Sequence, residues 1–329
     1  MISEIPFHSN GIELMNKLGK TCTPFLFLID YKMENTIIIP LHEIDNNILC
    51  YEINGFRNFE PPIHSINLPF QFNKQPISKD IYQRGFNHVL NNLKLGNSFL
   101  TNLTFVTPIF SNLGLKDFFL MSKAPFKLWI HEKFTFYSPE KFVTIKDNII
   151  RSFPMKGTID ASIEDAEQVI LNDEKEMAEH YTIVDLIRND LSLVAQKVRV
   201  ERFRYFDKIK TNQKCLLQVS SEIAGDLEKD WNNKIGTIFA TLLPAGSITG
   251  APKKKTVEII QEAENESRGY YTGVFGVYDG KDVESAVMIR FIEKRNGQLY
   301  YHSGGGITVN SICEKEYQEM IEKVYVPIN

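Results

Sequence analysis

Only 4 cysteines occur in 329 residues, and Cys22, Cys50, Cys215 and Cys313 form no C-x-x-C pair. That scatter argues against a disulfide framework or a zinc site. None stands in a Gly-x-Cys-x-Gly turn of the kind that projects a nucleophile. Long apolar runs are missing too: Pro24–Ile29 and Ile37–Pro40 are among the longest, far below the ~20 residues of a spanning helix. The start, Met1-Ile-Ser-Glu-Ile-Pro6, has no basic segment followed by an apolar one, so no signal peptide is expected. Neither sign of charge dominates. Lys+Arg number 37 and Asp+Glu 41, a net −4, which gives no electrostatic case for nucleic acid or an anionic membrane surface. No Pro/Gly/Ser-rich linker, repeat or low-complexity block divides the chain. The expectation is a soluble, cytoplasmic protein without nucleic-acid or membrane partners.

With 43% hydrophobic and 24% charged residues, the chain has the composition of an ordinary globular protein. Short strands are expected at Phe25–Ile29, Asn35–Ile39 and Ile48–Ile53. Ile81, Phe86, Val89, Leu90 and Leu93 then recur at helical spacing after Ser78, an N-cap residue, and Gly96 is a stop signal. Strands follow at Phe99–Val106, Phe126–Ile130, Phe134–Tyr137 and Phe142–Ile145. Two helices are expected between Ser162 and Leu193, a long β segment at Val198–Ile209 and Leu216–Ile223, and helices near Trp231–Leu242 and Pro252–Ala263. Tyr271–Tyr278, Val283–Glu293 and Leu299–His302, separated by Asp279-Gly280 and Asn296-Gly297, read as an antiparallel meander. A last helix should run from about Ser311 to Val324. Strands, helices and hairpins interspersed in this way predict an α+β fold with antiparallel sheets.

Several segments are equipped for chemistry. Pro244-Ala-Gly-Ser-Ile-Thr-Gly-Ala-Pro-Lys253 and Gly304-Gly-Gly-Ile-Thr308 let the backbone approach an anion, with Ser247, Thr249 and Thr308 as hydroxyl donors. Neither matches a Walker loop or a dinucleotide fingerprint, and each is also compatible with a plain structural turn. Glu176/Glu179 and Glu316/Glu319 are acidic pairs spaced three apart on expected helices, so each pair shares a face. Two facing pairs would suit Mg²⁺, which takes few carboxylates and keeps several waters; a solvated charged face is the plainer alternative. Lys156, in Phe153-Pro-Met-Lys-Gly-Thr158, would become a nucleophilic amine if an apolar site desolvated it. Glu140, in Tyr137-Ser-Pro-Glu-Lys-Phe142, would be a general acid if buried. Arg268 and Arg290 are candidate carboxylate ligands, and Arg290 is the sharper one because it sits in an apolar strand. By spacing and composition alone this describes a site for a small anion with room for Mg²⁺.

In combination these segments resemble the chorismate-utilising enzymes: anthranilate synthase large subunits, aminodeoxychorismate synthase component I, and isochorismate and salicylate synthases. The resemblance runs from Pro76 to Val324. It is carried by Glu174-Lys-Glu-Met-Ala-Glu-His180 and its continuation to Leu191, Pro244–Lys253, Arg268-Gly-Tyr-Tyr-Thr-Gly273, Ile289-Arg290, Gly304–Thr308 and Glu316-Tyr-Gln-Glu319. It implies one large domain of antiparallel sheets packed as a sandwich with helices outside, in which 1–75 is a short strand-rich segment packing on a chorismate-binding domain at 76–329. It implies Mg²⁺ held by Glu179 and Glu319, with Glu176 and Glu316 assisting. The ring carboxylate of chorismate would be gripped near Gly304, Gly305 and Gly306 and by Thr249, in a site that also includes Thr158, Ser247 and Gly250. Tyr271 and Arg290 would hold the enolpyruvyl carboxylate, and Glu140 would protonate the leaving C4 hydroxyl.

Within that family, Lys156 in Pro-x-Lys-Gly-Thr matches aminodeoxychorismate synthases, where anthranilate synthases typically have alanine. Members that add water carry a base lysine in Gly-x-x-x-Lys; here Leu100 occupies that place after Gly96. The resemblance therefore implies amination at C4 through a Lys156 adduct, for p-aminobenzoate and folate synthesis, with ammonia from a separate glutamine amidotransferase subunit. Anthranilate synthesis and a catalytically silent chorismate- or partner-binding subunit are the alternatives. Ile159-Asp160-Ala161 replaces the usual Pro-Arg after Thr158, Gln218 stands where many relatives have a histidine, and Gly305 replaces a common alanine.

Overall fold

The computed structural model describes residue 5 and residues 7–61, 70–210 and 215–327; the opening residues read above for a leader lie mostly outside them. The chain starts with α1 (Gly11–Lys20), β1 (Phe25–Ile29), β2 (Thr36–Pro40), β3 (Leu49–Ile53), β4 (Phe56–Arg57) and β5 (Phe72–Lys74). It continues with α2 (Lys79–Lys94), β6 (Leu100–Ser111), α3 (Leu115–Met121), β7 (Phe126–Ile130), β8 (Phe134–Ser138), β9 (Lys141–Lys146), β10 (Ile149–Ser152) and β11 (Met155–Asp160). Next come α4 (Ala166–Asn172), α5 (Glu174–Ser192), β12 (Gln196–Lys210), β13 (Cys215–Asp226), α6 (Ile235–Leu242), β14 (Gly250–Ala251) and α7 (Lys253–Ala263). The chain closes with β15 (Val274–Tyr278), β16 (Val283–Val287), β17 (Phe291–Arg295), β18 (Gln298–Ile307) and α8 (Cys313–Glu322).

Among the described residues these strands make two nine-stranded sheets. One runs β11-β13-β10-β9-β16-β15-β1-β2 with β12 on β13; the other runs β14-β6-β18-β17-β8-β7-β3-β4 with β5 on β6. The strand pairings are antiparallel. Side chains alternate across a strand, and β1 shows why the sheets stack. Leu26 and Leu28 point into a core shared with Tyr51, Phe126, Leu128 and Phe136 of the second sheet. Phe25, Phe27 and Ile29 point the other way, onto Met15 of α1, Ile183 and Ile187 of α5, and Phe239 of α6. A strand buried on both faces is continuously apolar, as Phe-Leu-Phe-Leu-Ile is. This is the expected sandwich with helices outside. The segment before residue 75 is woven into it, since β1 pairs with β15 and β3 with β7.

The expected strand Val283–Glu293 is two strands in two sheets. The chain leaves the first sheet after Val287 and enters the second at Phe291, and reciprocal bonds between Met288 and the Thr272–Gly273 segment hold the crossing. An apolar run reads alike whether its neighbours belong to one sheet or two, so the sequence hid the break. Arg290 therefore sits at the crossing, with φ +53°, rather than within a strand. The Gly304–Gly306 segment is also not a turn: it lies in β18, paired with β6.

One buried ion pair ties the walls of the future site together. Arg268 is 4% exposed; its guanidinium donates to Glu264 at 2.6 and 2.9 Å, to the Ile248 carbonyl at 2.9 Å and to the Asn102 carbonyl at 2.7 Å. Glu264 in turn accepts from the amide and hydroxyl of Thr104. Thus Arg268, a candidate substrate ligand by sequence, is occupied as a brace between β6, the 244–252 segment and α7's exit. Truncating one partner strands the other charge in the interior. Glu264→Ala should lower stability by about 3–5 kcal/mol, seen as a fall in the urea midpoint; a midpoint within error of wild type would show that the pair is not the brace.

Candidate active site

The two sheets and α8 enclose a cavity of about 490 Å³. Ten of the residues singled out in the sequence line it: Glu140, Lys156, Thr158, Ser247, Gly250, Tyr271, Arg290, Gly304, Gly306 and Glu319. Thr249, Gly305, Glu176, Glu179 and Glu316 do not. Thr249 is fully buried behind the wall, whereas the three glutamates and Gly305 stand at one end of the cavity, beside residues that do line it.

Lys156 is presented by a β-bulge. The register of β11 on β13 shifts between Met155 and Thr158, and Gly157 takes φ +85°, a left-handed conformation open to glycine. The ammonium so aimed donates to Glu179 Oε2 at 2.9 Å. The setting is therefore ionic, not the apolar one that would have desolvated the amine. The 244–252 segment must press against β6: a Cβ on Gly250 would fall 1.8 Å from the Leu100 carbonyl oxygen, so only glycine fits there. The same segment delivers Ser247, whose hydroxyl donates to Glu140 Oε1 at 2.6 Å. Glu140 sits where β8 turns into β9, its carbonyl bound by the Val287 amide at the sheet crossing. Burial pushes its carboxyl above the usual range, against the opposing pull of Ser247, Lys156 and Lys323. A carboxyl whose charged form burial disfavours is better able to carry and give a proton than an exposed one.

Arg290 and Tyr271 both line the cavity near the crossing. The Arg290 guanidinium lies 5.2 Å from the Tyr325 ring centroid, and the Tyr271 ring lies 4.9 Å from that of His302. Burial raises the Tyr271 hydroxyl far above its ordinary value, so it remains a neutral donor. Basic side chains on the wall (Lys156, Arg290 and Lys323) together with Tyr271 suit a small organic anion.

Sequence reasoning missed several wall residues: Asn102, Tyr301, His302, Ser303, Lys323 and Tyr325. Lys323 had a legible signal, since it follows Glu319 by one helical turn. Its ammonium lies 2.7 Å from Glu319 and donates to the Gly304 carbonyl at 2.9 Å. His302 bonds Glu293 Oε1 through Nε2 at 2.5 Å, which fixes its ring. Also missed was His180, behind Lys156, which bonds Ser221 Oγ at 2.7 Å. Burial first, then the charges of Arg204 and Lys156, push its pKa down to about 4. Gln218 lines the cavity, so the histidine-to-glutamine departure falls on a wall position.

The four glutamates offer oxygen only, the donor chemistry of a hard cation. Glu316 and Glu319 converge on Gly305, whose Cβ position lies 3.8 and 3.5 Å from their carboxylate oxygens, and Glu176 reaches within 3.2 Å of the Gly157 position. Among the described residues, no three acidic, histidine or cysteine side chains stand close enough together to chelate a metal. The donor set thus fits Mg²⁺ in chemistry, and closing on a cation requires Lys156 and Lys323 to release Glu179 and Glu319.

Comparison with known proteins places this geometry. Over 317 residues the chain is 52% identical to a PabA-like protein of Haemophilus influenzae, covering 96% of each. It is 35% identical to aminodeoxychorismate synthase component 1 of Bacillus subtilis over 196 residues, 57% of this chain and 40% of that protein. It is 34% identical to anthranilate synthase component 1 of Aquifex aeolicus over 194 residues, 56% of this chain and 38% of that protein. Among solved structures, anthranilate synthase component I from Streptococcus pneumoniae superposes with a TM-score of 0.68 at 25% identity, covering 78% of this chain and 59% of that one. The menaquinone-specific isochorismate synthase of Escherichia coli gives 0.75 at 15% identity, covering 98% and 82%, a likeness of fold. The family model described as chorismate binding enzyme matches residues 49–329, and the chain belongs to that family.

Proposed function

We propose that this protein is an aminodeoxychorismate synthase component I, which converts chorismate and ammonia to 4-amino-4-deoxychorismate. The observation that carries the proposal is Lys156, set on a bulge in the wall of the same cavity that the Glu140–Ser247 pair lines. A nucleophile and an acid in one cavity suit substitution through a covalent adduct. Similarity to the Bacillus subtilis aminodeoxychorismate synthase component 1 supports the same reading.

In this scheme Arg290 and Tyr271 hold the enolpyruvyl carboxylate, and the Gly304–Gly306 edge borders the ring carboxylate. The Lys156 amine bonds to C2, the ring double bonds shift, and the C4–O bond breaks as Glu140 gives its proton, so water departs. Ammonia then bonds to C4, the C2–N bond breaks, Lys156 returns as the amine, and the surplus proton goes to the Glu140 carboxylate. Mg²⁺, held by Glu179 and Glu319 with Glu176 and Glu316, would supply positive charge for the ring carboxylate. Ammonia would come from a glutamine amidotransferase partner, and the product would feed p-aminobenzoate and folate synthesis. Similarity to the Aquifex aeolicus anthranilate synthase keeps amination at C2 as the second reading, with Lys156 as the feature against it.

Chromatography of the protein incubated with chorismate, Mg²⁺ and ammonium should give p-aminobenzoate only when an aminodeoxychorismate lyase is added. Lys156→Ala should cut that product by a factor of roughly 10² or more with an unchanged melting temperature. Fluorescent anthranilate from the wild type would overturn the C4 assignment, and full turnover by the variant would remove Lys156 from the chemistry.

A proton donor works only while protonated, and burial raises the Glu140 carboxyl. Activity should therefore fall on the alkaline side, with a limb that lies above the ordinary carboxylate range. Glu140→Gln should lose most activity and the associated alkaline limb of the pH profile; an unshifted limb in the variant would assign it to another group.

A further inference from the structure

Tyr271 lines the cavity, yet its hydrogen bonds run through its backbone: its amide donates to the Arg268 carbonyl and its carbonyl accepts from the Thr272 hydroxyl. Among the described residues nothing bonds its phenolic oxygen. What packs against the ring therefore sets where that hydroxyl points. Two rings do so. His302 lies 4.9 Å away at an interplanar angle of 41°, and Phe291 lies 6.2 Å away at 56°. A phenyl ring has no group that can tether it, whereas the imidazole has.

The tether is Glu293. Across the β17–β18 hairpin Phe291 is in register with His302, and Glu293 with Tyr300, so Glu293 and His302 are diagonal neighbours on one face. Their side chains are 23% and 2% exposed, and His302 Nε2 lies 2.5 Å from Glu293 Oε1. Burial alone would raise the Glu293 carboxyl, but the hydrogen bonds and charges of His302 and Arg295 outweigh it and hold it below its ordinary value. Glu293 is thus an ionised acceptor, and the proton of the bond sits on Nε2. Arg295 also binds Glu293 and reaches Glu266 at the surface; water screens that outer, half-exposed pair, so the buried bond to His302 is the one that fixes the ring. We propose that His302, tethered by Glu293, is a positioning residue that aims the Tyr271 hydroxyl at the substrate carboxylate. This rests on the contact assigned to Tyr271 above and adds to it the two residues that pre-organise it.

Initial rates of chorismate consumption at saturating ammonium give kcat and the KM for chorismate. Tyr271→Phe, which removes the hydroxyl, should raise that KM roughly ten-fold. His302→Leu and Glu293→Leu should each raise it roughly five-fold, with kcat within about two-fold of wild type. Glu293→Gln keeps a carbonyl oxygen to accept from Nε2 and should bring the KM back close to the wild-type value. The decisive variant carries both Tyr271→Phe and His302→Leu. With no hydroxyl left to aim, its KM should rise no further than that of Tyr271→Phe alone. Additive rises would overturn the proposal and place His302 on the substrate itself. A wild-type KM in folded His302→Leu or Glu293→Leu would overturn it too; the two substitutions lie on different strands, and circular dichroism melts identify any variant to discard. A wild-type KM in Tyr271→Phe would refute the contact assigned to Tyr271, and the positioning with it. The calorimetric Kd for chorismate should follow the same order, which frees the test from turnover. Anthranilate as the product would overturn the C4 reading alone, because consumption of chorismate is read whichever carbon is aminated.

Discussion

The cavity depends on the buried pairing of Arg268 with Glu264. Its guanidinium reaches carbonyls of Asn102 and Ile248, and the carboxylate reaches back to Thr104, so three chain segments distant in sequence share one charge pair. Burying two ions is costly, and their attraction repays it only when further hydrogen bonds satisfy both. Here they do. With the brace in place, the 244–252 segment can lie close enough on β6 for Gly250 to be required, and Ser247 is thereby carried to Glu140. The position of the acid thus follows from packing some distance away.

The opposite wall is governed by lysine–carboxylate contacts. Lys156 on Glu179 and Lys323 on Glu319 leave cations and anions balanced at the end of the cavity where Gly305 and Gly306 remove side-chain bulk. Such pairs are weaker than they look when half exposed, because water screens them. They are therefore suited to rearrange when a dianionic substrate or a hard cation arrives. Rigid backbone on one wall and exchangeable ion pairs on the other make a site that is shaped beforehand yet able to change partners.

Much of this was legible in the sequence, and the failures have physical causes. The strand Phe126–Ile130 and the helix after Ser78 were plain because an unbroken apolar run and a capped helical stripe each admit one reading. Val283–Glu293 misled because continuous hydrophobicity carries no mark of a change of sheet, and Arg290 at the crossing was taken for a strand residue. Glycines at 304–306 suggested an anion cradle or a turn, since glycine is a poor strand former; they lie in β18 paired with β6, where a Cβ on Gly304 would fall 2.2 Å from the Leu103 carbonyl oxygen. Glu140, Lys156 and Arg290 were legible from their own settings and Glu319 from helical spacing, while Tyr271 and the particular role of each came from the resemblance. Lys323 and His302 were passed over although both line the cavity. His302 depends on a Glu293 contact across the β17–β18 hairpin that only the register supplies.

The central claim is that Lys156 becomes covalently bonded to the substrate ring. Its most direct test is mass spectrometry of the protein mixed with chorismate and Mg²⁺ in the absence of ammonia, with peptide mapping. The account predicts that the peptide containing Lys156 gains the mass of chorismate less one water, and that the gain disappears when ammonium is added. Aminated product from a protein that never carries that mass on Lys156, with the adduct sought at the same time points, would contradict it.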